Sequence, residues 1–198
     1  MTDWDARYAE AGWAFGTEPN DFLREQAHHL PAGGRVLCLA EGEGRNAVWL
    51  AQHGFEVTGV DVASVGLEKA QRLAAEREVT ITTEVADLER FAFGVAAWDG
   101  IVSIFAHVPP AVRQRVHAQV LSALKPGGVL VLEAYRPQQL ERGTGGPPDD
   151  ERMLDLERLR PELGTLEWLI AREVERDVIE GRYHTGRAST VQLGARRR

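Results

Sequence analysis

The chain has 198 residues, 43% hydrophobic and 27% charged, the proportions of a globular protein long enough to bury one sizeable core. A formal net charge of −7 argues against a general nucleic-acid binder, whose footprint is basic, and the single cysteine, Cys38, leaves no disulfide framework or cysteine zinc cluster. No stretch approaches the roughly 18 consecutive apolar residues of a membrane span. The start "MTDWDARYAE" is polar and acidic, unlike a signal or transit peptide, so a cytoplasmic setting is expected.

Residues 1–34 carry Trp4, Tyr8, Trp13, Phe15 and Phe22 and read as a helical, aromatic-rich cover. Within them, "GWAFGTEPNDFL" has glycines flanking aromatics and a tight turn from Gly16 to Asn20, the makings of a lid in which Trp13 or Phe15 closes over a small acceptor. His28 and His29 are adjacent, point apart on a helix and have no third ligand, so no metal site is expected.

Strand and helix patterns then alternate. Val36 to Ala40 is a continuous apolar run, the pattern of a strand covered on both faces, with Cys38 inside it as a small buried hydrophobe. Ala47, Val48, Leu50 and Ala51 recur at helical spacing up to a stop at Gly54. "FEVTGVD" (55–61) is a second strand ending on an acid, and 64–77 is a helix with Ser64 as its potential cap. Residues 80–87 and 98–105 read as the third and fourth strands. Pro109 and Pro110 start a helix, "KPGG" (125–128) is a turn, and 129–135 is the fifth strand. "RGTGGPPDD" (142–150) is a flexible loop and a second rim candidate, followed by a helix that Pro161 stops. Two β-patterned stretches around Glu180-Gly181 close the chain as an antiparallel hairpin. The expected architecture is one α/β domain over 1–198: a doubly wound, mostly parallel seven-stranded sheet covered on both faces, with that hairpin at its end. Its parts are the cover (1–34), the βα units (35–135), the loop (142–150) and the closing helix and hairpin (151–198).

Gly42 and Gly44 lie between the first strand and its helix, where a βα turn needs positive φ and a ligand can approach the main chain. Asp61 follows Gly42 by 19 residues, the spacing at which a carboxylate reaches ribose hydroxyls, although an acid there also serves as a helix cap. Asp87 is placed to receive an adenine amine or to be a solvated turn acid. "GEGRNA" formally matches the dinucleotide fingerprint, which keeps a nicotinamide-dependent oxidoreductase open; the closing hairpin argues against it.

The order of elements resembles class I S-adenosylmethionine-dependent methyltransferases over nearly the whole chain. "FGTEPNDFL", "CLAEGEGRNAVWLA", "VTGVD", "GIVSIF", "LKPGG" and "YHTG" resemble the tellurite-resistance (TehB-like) branch of small bacterial methyltransferases. The resemblance implies S-adenosylmethionine as cofactor and methyl transfer to a small molecule such as a metalloid oxyanion, a thiol or a similar nucleophile. It implies a cofactor site of Ala40, Glu41, Gly42, Gly44, Arg45, Asn46, Asp61, Val62, Ala63, Asp87, Leu88 and Phe105. Here Cys38 replaces the family's motif acid and Ala40 its first glycine, which admits a non-catalytic S-adenosyl-binding module as the alternative; Glu41 is a candidate substitute for the acid. His107, just after the fourth strand, is the acid/base candidate, and Tyr183 and His184 are weaker candidates at the acceptor rim. Partners are a small-molecule substrate, with neither nucleic acid nor membrane; nothing in the sequence fixes the oligomeric state.

Overall fold

The computed structural model describes residues 3–198. Its seven strands are β1 (Arg35–Leu39), β2 (Glu56–Asp61), β3 (Thr82–Val85), β4 (Trp98–Ile104), β5 (Leu124–Tyr135), β6 (Glu167–Glu180) and β7 (His184–Arg196). They form one sheet in the order β3-β2-β1-β4-β5-β7-β6, parallel from β3 to β5, with β7 antiparallel to both β5 and β6. The helices are α1 (Trp4–Tyr8), α2 (Asp21–Gln26), α3 (Arg45–Gln52), α4 (Ser64–Glu76), α5 (Pro110–Ala123) and α6 (Leu156–Leu163).

The strand period of two sorts β1 between two layers. Val36 and Cys38 join the core formed with α2, α3 and α4, while Leu37 and Leu39 join the one formed with α5 and α6. Such a strand is covered on both faces and reads as an unbroken apolar run. Coverage fails at the edge: β3 is largely exposed, and the loop 86–97, with no helix, leads on to β4.

Three local expectations are corrected. "KPGG" is no separate turn but the start of β5, with Leu124 paired to Trp98 and a register irregularity between Trp98 and Gly100 absorbing the positive φ of Gly127. Pro161 lies inside α6 and does not stop it. Leu159 and Leu163, both fully buried, hold the turn on either side, and Asp155 caps its start by accepting from the Arg158 amide. Ser64 is the first residue of α4 and caps nothing; the Val65 amide donates to the Asp5 carboxylate of α1 at 2.9 Å.

Candidate cofactor and acceptor site

Strand order reverses between β1 and β4, and in open α/β sheets the ligand crevice lies beyond the carboxyl ends of such strands. Both strands end there on a strained residue, Ala40 at φ +50° and Phe105 at φ +54°. A non-glycine residue in that region costs on the order of 1 kcal/mol or more and persists where its surroundings over-determine it. Ala40 takes on its own the conformation for which Gly42 (φ +62°) and Gly44 (φ +91°) are suited. Gly44 is also a packing residue, since a Cβ there would lie 2.6 Å from the Ala70 Cβ of α4.

Asp61, at the end of β2, is buried against this loop. It accepts from the Gly42 amide through Oδ2 and the Ala63 amide through Oδ1, both at 2.8 Å. Burial raises its pKa, and those amides work against the rise. Val62 beside it is 56% exposed and Val85, its neighbour across β3, is 58% exposed, so apolar surface stays open next to the carboxylate. Asp87 caps the following turn through the Glu89 amide, and the Leu88 side chain belongs to the core beneath β4.

Glu41 does not stand open to a ligand's positive groups. Its Oε1 accepts from the Asn46 (3.1 Å) and Ala47 (2.8 Å) amides, capping α3. Burial pushes its pKa up to about 7, while burial and the nearby carboxylate push the Cys38 thiol up.

Sequence reasoning missed what lies against the glycines. The Tyr8 hydroxyl would stand 2.5 Å from a Cβ on Gly42, and the Tyr8 ring 2.8 Å from one on Gly66. Burial and three carboxylates raise the phenol's pKa. The segment that follows is tied down by Glu43, whose Oε2 accepts from the Ala14 and Phe15 amides while Oε1 pairs with Lys69 at 2.6 Å. Trp13 lies against that Lys69, and Phe15 reaches His184 with ring centroids 4.5 Å apart. The only sequence signal for Tyr8 is its i,i+4 relation to Trp4, with which it stacks.

On the β4–β5 side, Phe105 stacks on Tyr135 at 4.5 Å and meets His184 edge-on at 4.8 Å. His107 is no free base: its Nε2 accepts from the Tyr135 amide at 3.0 Å, and burial pushes its pKa down to about 3. The imidazole is a neutral brace between β4 and β5. Tyr183 lies farther out, donating to Glu10 with Arg7 over its ring.

A buried polar network joins these parts. Glu133 on β5 accepts from Asn20, Arg176 and Gln192, and Glu180 at the end of β6 accepts from Asn20 and Arg45. The Asn20 amide donates to Asn46 Oδ1, so two predicted cofactor residues, Arg45 and Asn46, tie α3 to the hairpin and the N-terminal segment.

Residues 36–128 match the methyltransferase-domain family. This stretch of the chain belongs to that family. Over 129 residues, 63% of this chain, it is 36% identical to an S-adenosyl-L-methionine-dependent Diels-Alderase of Talaromyces variabilis, of whose length it spans 44%. It is 28% identical to the thiopurine S-methyltransferase of Pseudomonas fluorescens, the match covering 82% of this chain and 78% of that enzyme. TehB from Haemophilus influenzae shares the fold with a TM-score of 0.68 at 18% identity, over 90% of this chain and 62% of that one. The sheet order and antiparallel β7 are those of a Rossmann-like methyltransferase fold, as expected, and the matched stretch runs through its parallel βα units from β1 to the start of β5.

Proposed function

We propose that the protein transfers a methyl group from S-adenosylmethionine to a small acceptor, in the manner of the TehB-like branch. The observation that carries this reading is Asp61: a buried carboxylate at the end of β2, oriented by the Gly42 and Ala63 amides at the switch point of a methyltransferase sheet. Exposed Val62 suits a ligand with a flat base, while Gly42, without a Cβ, lets Tyr8 close against the loop. Asp61 would take the ribose hydroxyls, Val62 and Ala63 the adenine face, Asp87 and the Leu88 amide its amine, and Ala40, Gly42, Gly44, Arg45 and Asn46 the methionine portion. Glu41 acts behind them by holding the start of α3.

The bound cofactor supplies a methyl group already activated on a sulfonium, so the protein's share of the work is alignment and exclusion of water. Phe105 and Phe15 form apolar walls, and Tyr8 and the segment tied to Glu43 close the site from above. With His107 fixed as a brace, the histidine at the acceptor rim is His184. A thiol or an oxyanion ionised at neutral pH needs no base. The relative named for S-methylation supports such a soft nucleophile, and the net charge of −7 favours a small molecule over nucleic acid as acceptor. The relative named as a Diels-Alderase supports a second reading, in which the bound S-adenosyl group is structural and no methyl moves.

Asp61→Asn tests the cofactor assignment. Charge-assisted hydrogen bonds contribute roughly 1.5–3 kcal/mol each. Affinity for S-adenosylhomocysteine, measured by titration calorimetry, should fall at least tenfold, and the melting temperature of the unliganded variant reads what losing one of the two amide bonds to the Gly42 loop costs the fold. Unchanged affinity would reduce Asp61 to a loop-bracing residue.

A further inference from the structure

Among the described residues, three of the buried side-chain polar atoms without a hydrogen-bond partner belong to Arg45, His184 and Tyr135, the first two beside one carboxylate oxygen and the third beside the His184 ring. Arg45 spends Nη2 on Glu180 Oε2 at 2.7 Å and leaves Nη1 unpaired. The Nδ1 of His184 stops 3.8 Å short of the same oxygen, beyond hydrogen-bond reach. The hydroxyl of Tyr135, whose ring meets His184 edge-on at 5.3 Å, has no partner either. Gly145 lies over the last two: a Cβ there would come within 3.1 Å of both the Tyr135 hydroxyl and His184 Cδ2.

An unsatisfied buried donor costs about 1–3 kcal/mol, and the fold does not require these three to go without. Their neighbours are paired: Glu133 and Glu180 are saturated by Asn20, Arg45, Arg176 and Gln192. The charges of Arg45 and Arg176 balance those of Glu133 and Glu180, so an arriving anion meets a neutral cluster with spare donors. Burial keeps the Tyr135 phenol and the His184 imidazole uncharged, the first by raising its pKa and the second by lowering it. The flanks are aromatic, with the rings of Phe15 and Phe105 4.5 and 4.8 Å from that of His184.

We propose that Arg45, Tyr135 and His184 anchor the methyl acceptor by an oxygen anion, with Phe15 and Phe105 flanking its ring, so that the acceptor class is a planar aromatic acid, a carboxylate or phenolate. This rests on the methyltransferase reading of the site, but the anchor can be tested without turnover.

The probes are benzoate, cyclohexanecarboxylate and benzamide, titrated calorimetrically into the whole protein with and without saturating S-adenosylhomocysteine. Benzoate should bind more tightly than cyclohexanecarboxylate, which lacks the flat ring, and than benzamide, which lacks the charge. Tyr135→Phe, and Arg45→Lys, which keeps the charge toward Glu180 but removes the second guanidinium nitrogen from its place, should each weaken benzoate roughly tenfold. The melting temperature of Tyr135→Phe should hold or rise, because the lost hydroxyl had no partner, and this keeps the variant a folded control. S-adenosylhomocysteine binding without benzoate binding, or benzoate binding indifferent to Tyr135→Phe, would overturn the anchor and leave the methyltransferase reading standing. Tyr135-dependent benzoate binding in a protein that ignores S-adenosylhomocysteine would support the anchor and sink that reading instead.

Discussion

Glu41 stands where the start of α3 needs a carboxylate and the interior resists one. Its pKa in the fold, about 7, lies above the ordinary value of 4.5, so the native state holds the proton more tightly than the unfolded chain does. The stabilisation is therefore complete below about pH 4.5 and is lost as the pH rises through 7, an effect on the order of 3 kcal/mol for a shift of that size. Chemical denaturation of the wild type against Glu41→Gln should show the wild type losing stability relative to the variant across that window. Parallel curves would mean that Glu41 titrates normally. His107 makes a different case. With Nε2 occupied by the Tyr135 amide, His107→Ala should cost about 1–3 kcal/mol of stability and lower turnover only a few-fold at every pH. A defect above a hundredfold that vanishes at high pH would restore it as a general base. Its place just after the fourth strand was legible in the sequence. Its role was not, because the Tyr135 amide that fixes it comes from a strand 28 residues further on.

At the scale of elements, residues 9–20 cross the site as a strap held at both sides. Glu43 takes the Ala14 and Phe15 amides from the glycine loop, and the Ala14 carbonyl accepts from Arg182 at the hairpin turn. Gly181 makes the crossing possible, since a Cβ there would collide with the Ala14 carbonyl and Gly16 amide, and its φ of +69° disfavours a side chain. Gly181→Ala should therefore loosen the strap: limited proteolysis between residues 9 and 20 should quicken, while the sheet's thermal transition moves little. Equal cleavage rates would show that the strap is held by Asn20 and Glu43 alone. The glycine–aromatic composition of 12–16 announced a loop over the site, but not its docking points, which lie 28 and 160 residues away in sequence. The interior strands were legible because both their faces are buried, and the hairpin because its two β-patterned stretches flank a glycine. Pro161 and "KPGG" misled because tertiary packing overrode local breakers, through buried Leu159 and Leu163 in one case and pairing to β4 in the other.

For the whole molecule, the sheet order converts one glycine-rich turn into a site. Ala40 and Gly42 follow β1, Asp61 ends β2, Phe105 follows β4 and Tyr135 ends β5, and the parallel strands bring these ends to one edge. The antiparallel hairpin then adds Glu180 and His184 from the far end of the chain. The proposed occupant is an S-adenosyl group, since a dinucleotide requires a second mononucleotide-binding half where this chain has the hairpin. Scanning fluorimetry with S-adenosylhomocysteine and NAD side by side tests that claim most directly. A ligand at 100 times its dissociation constant stabilises the fold by about 2.7 kcal/mol. The melting temperature should rise by several degrees with S-adenosylhomocysteine and stay put with NAD. A shift with NAD and none with S-adenosylhomocysteine would contradict the account.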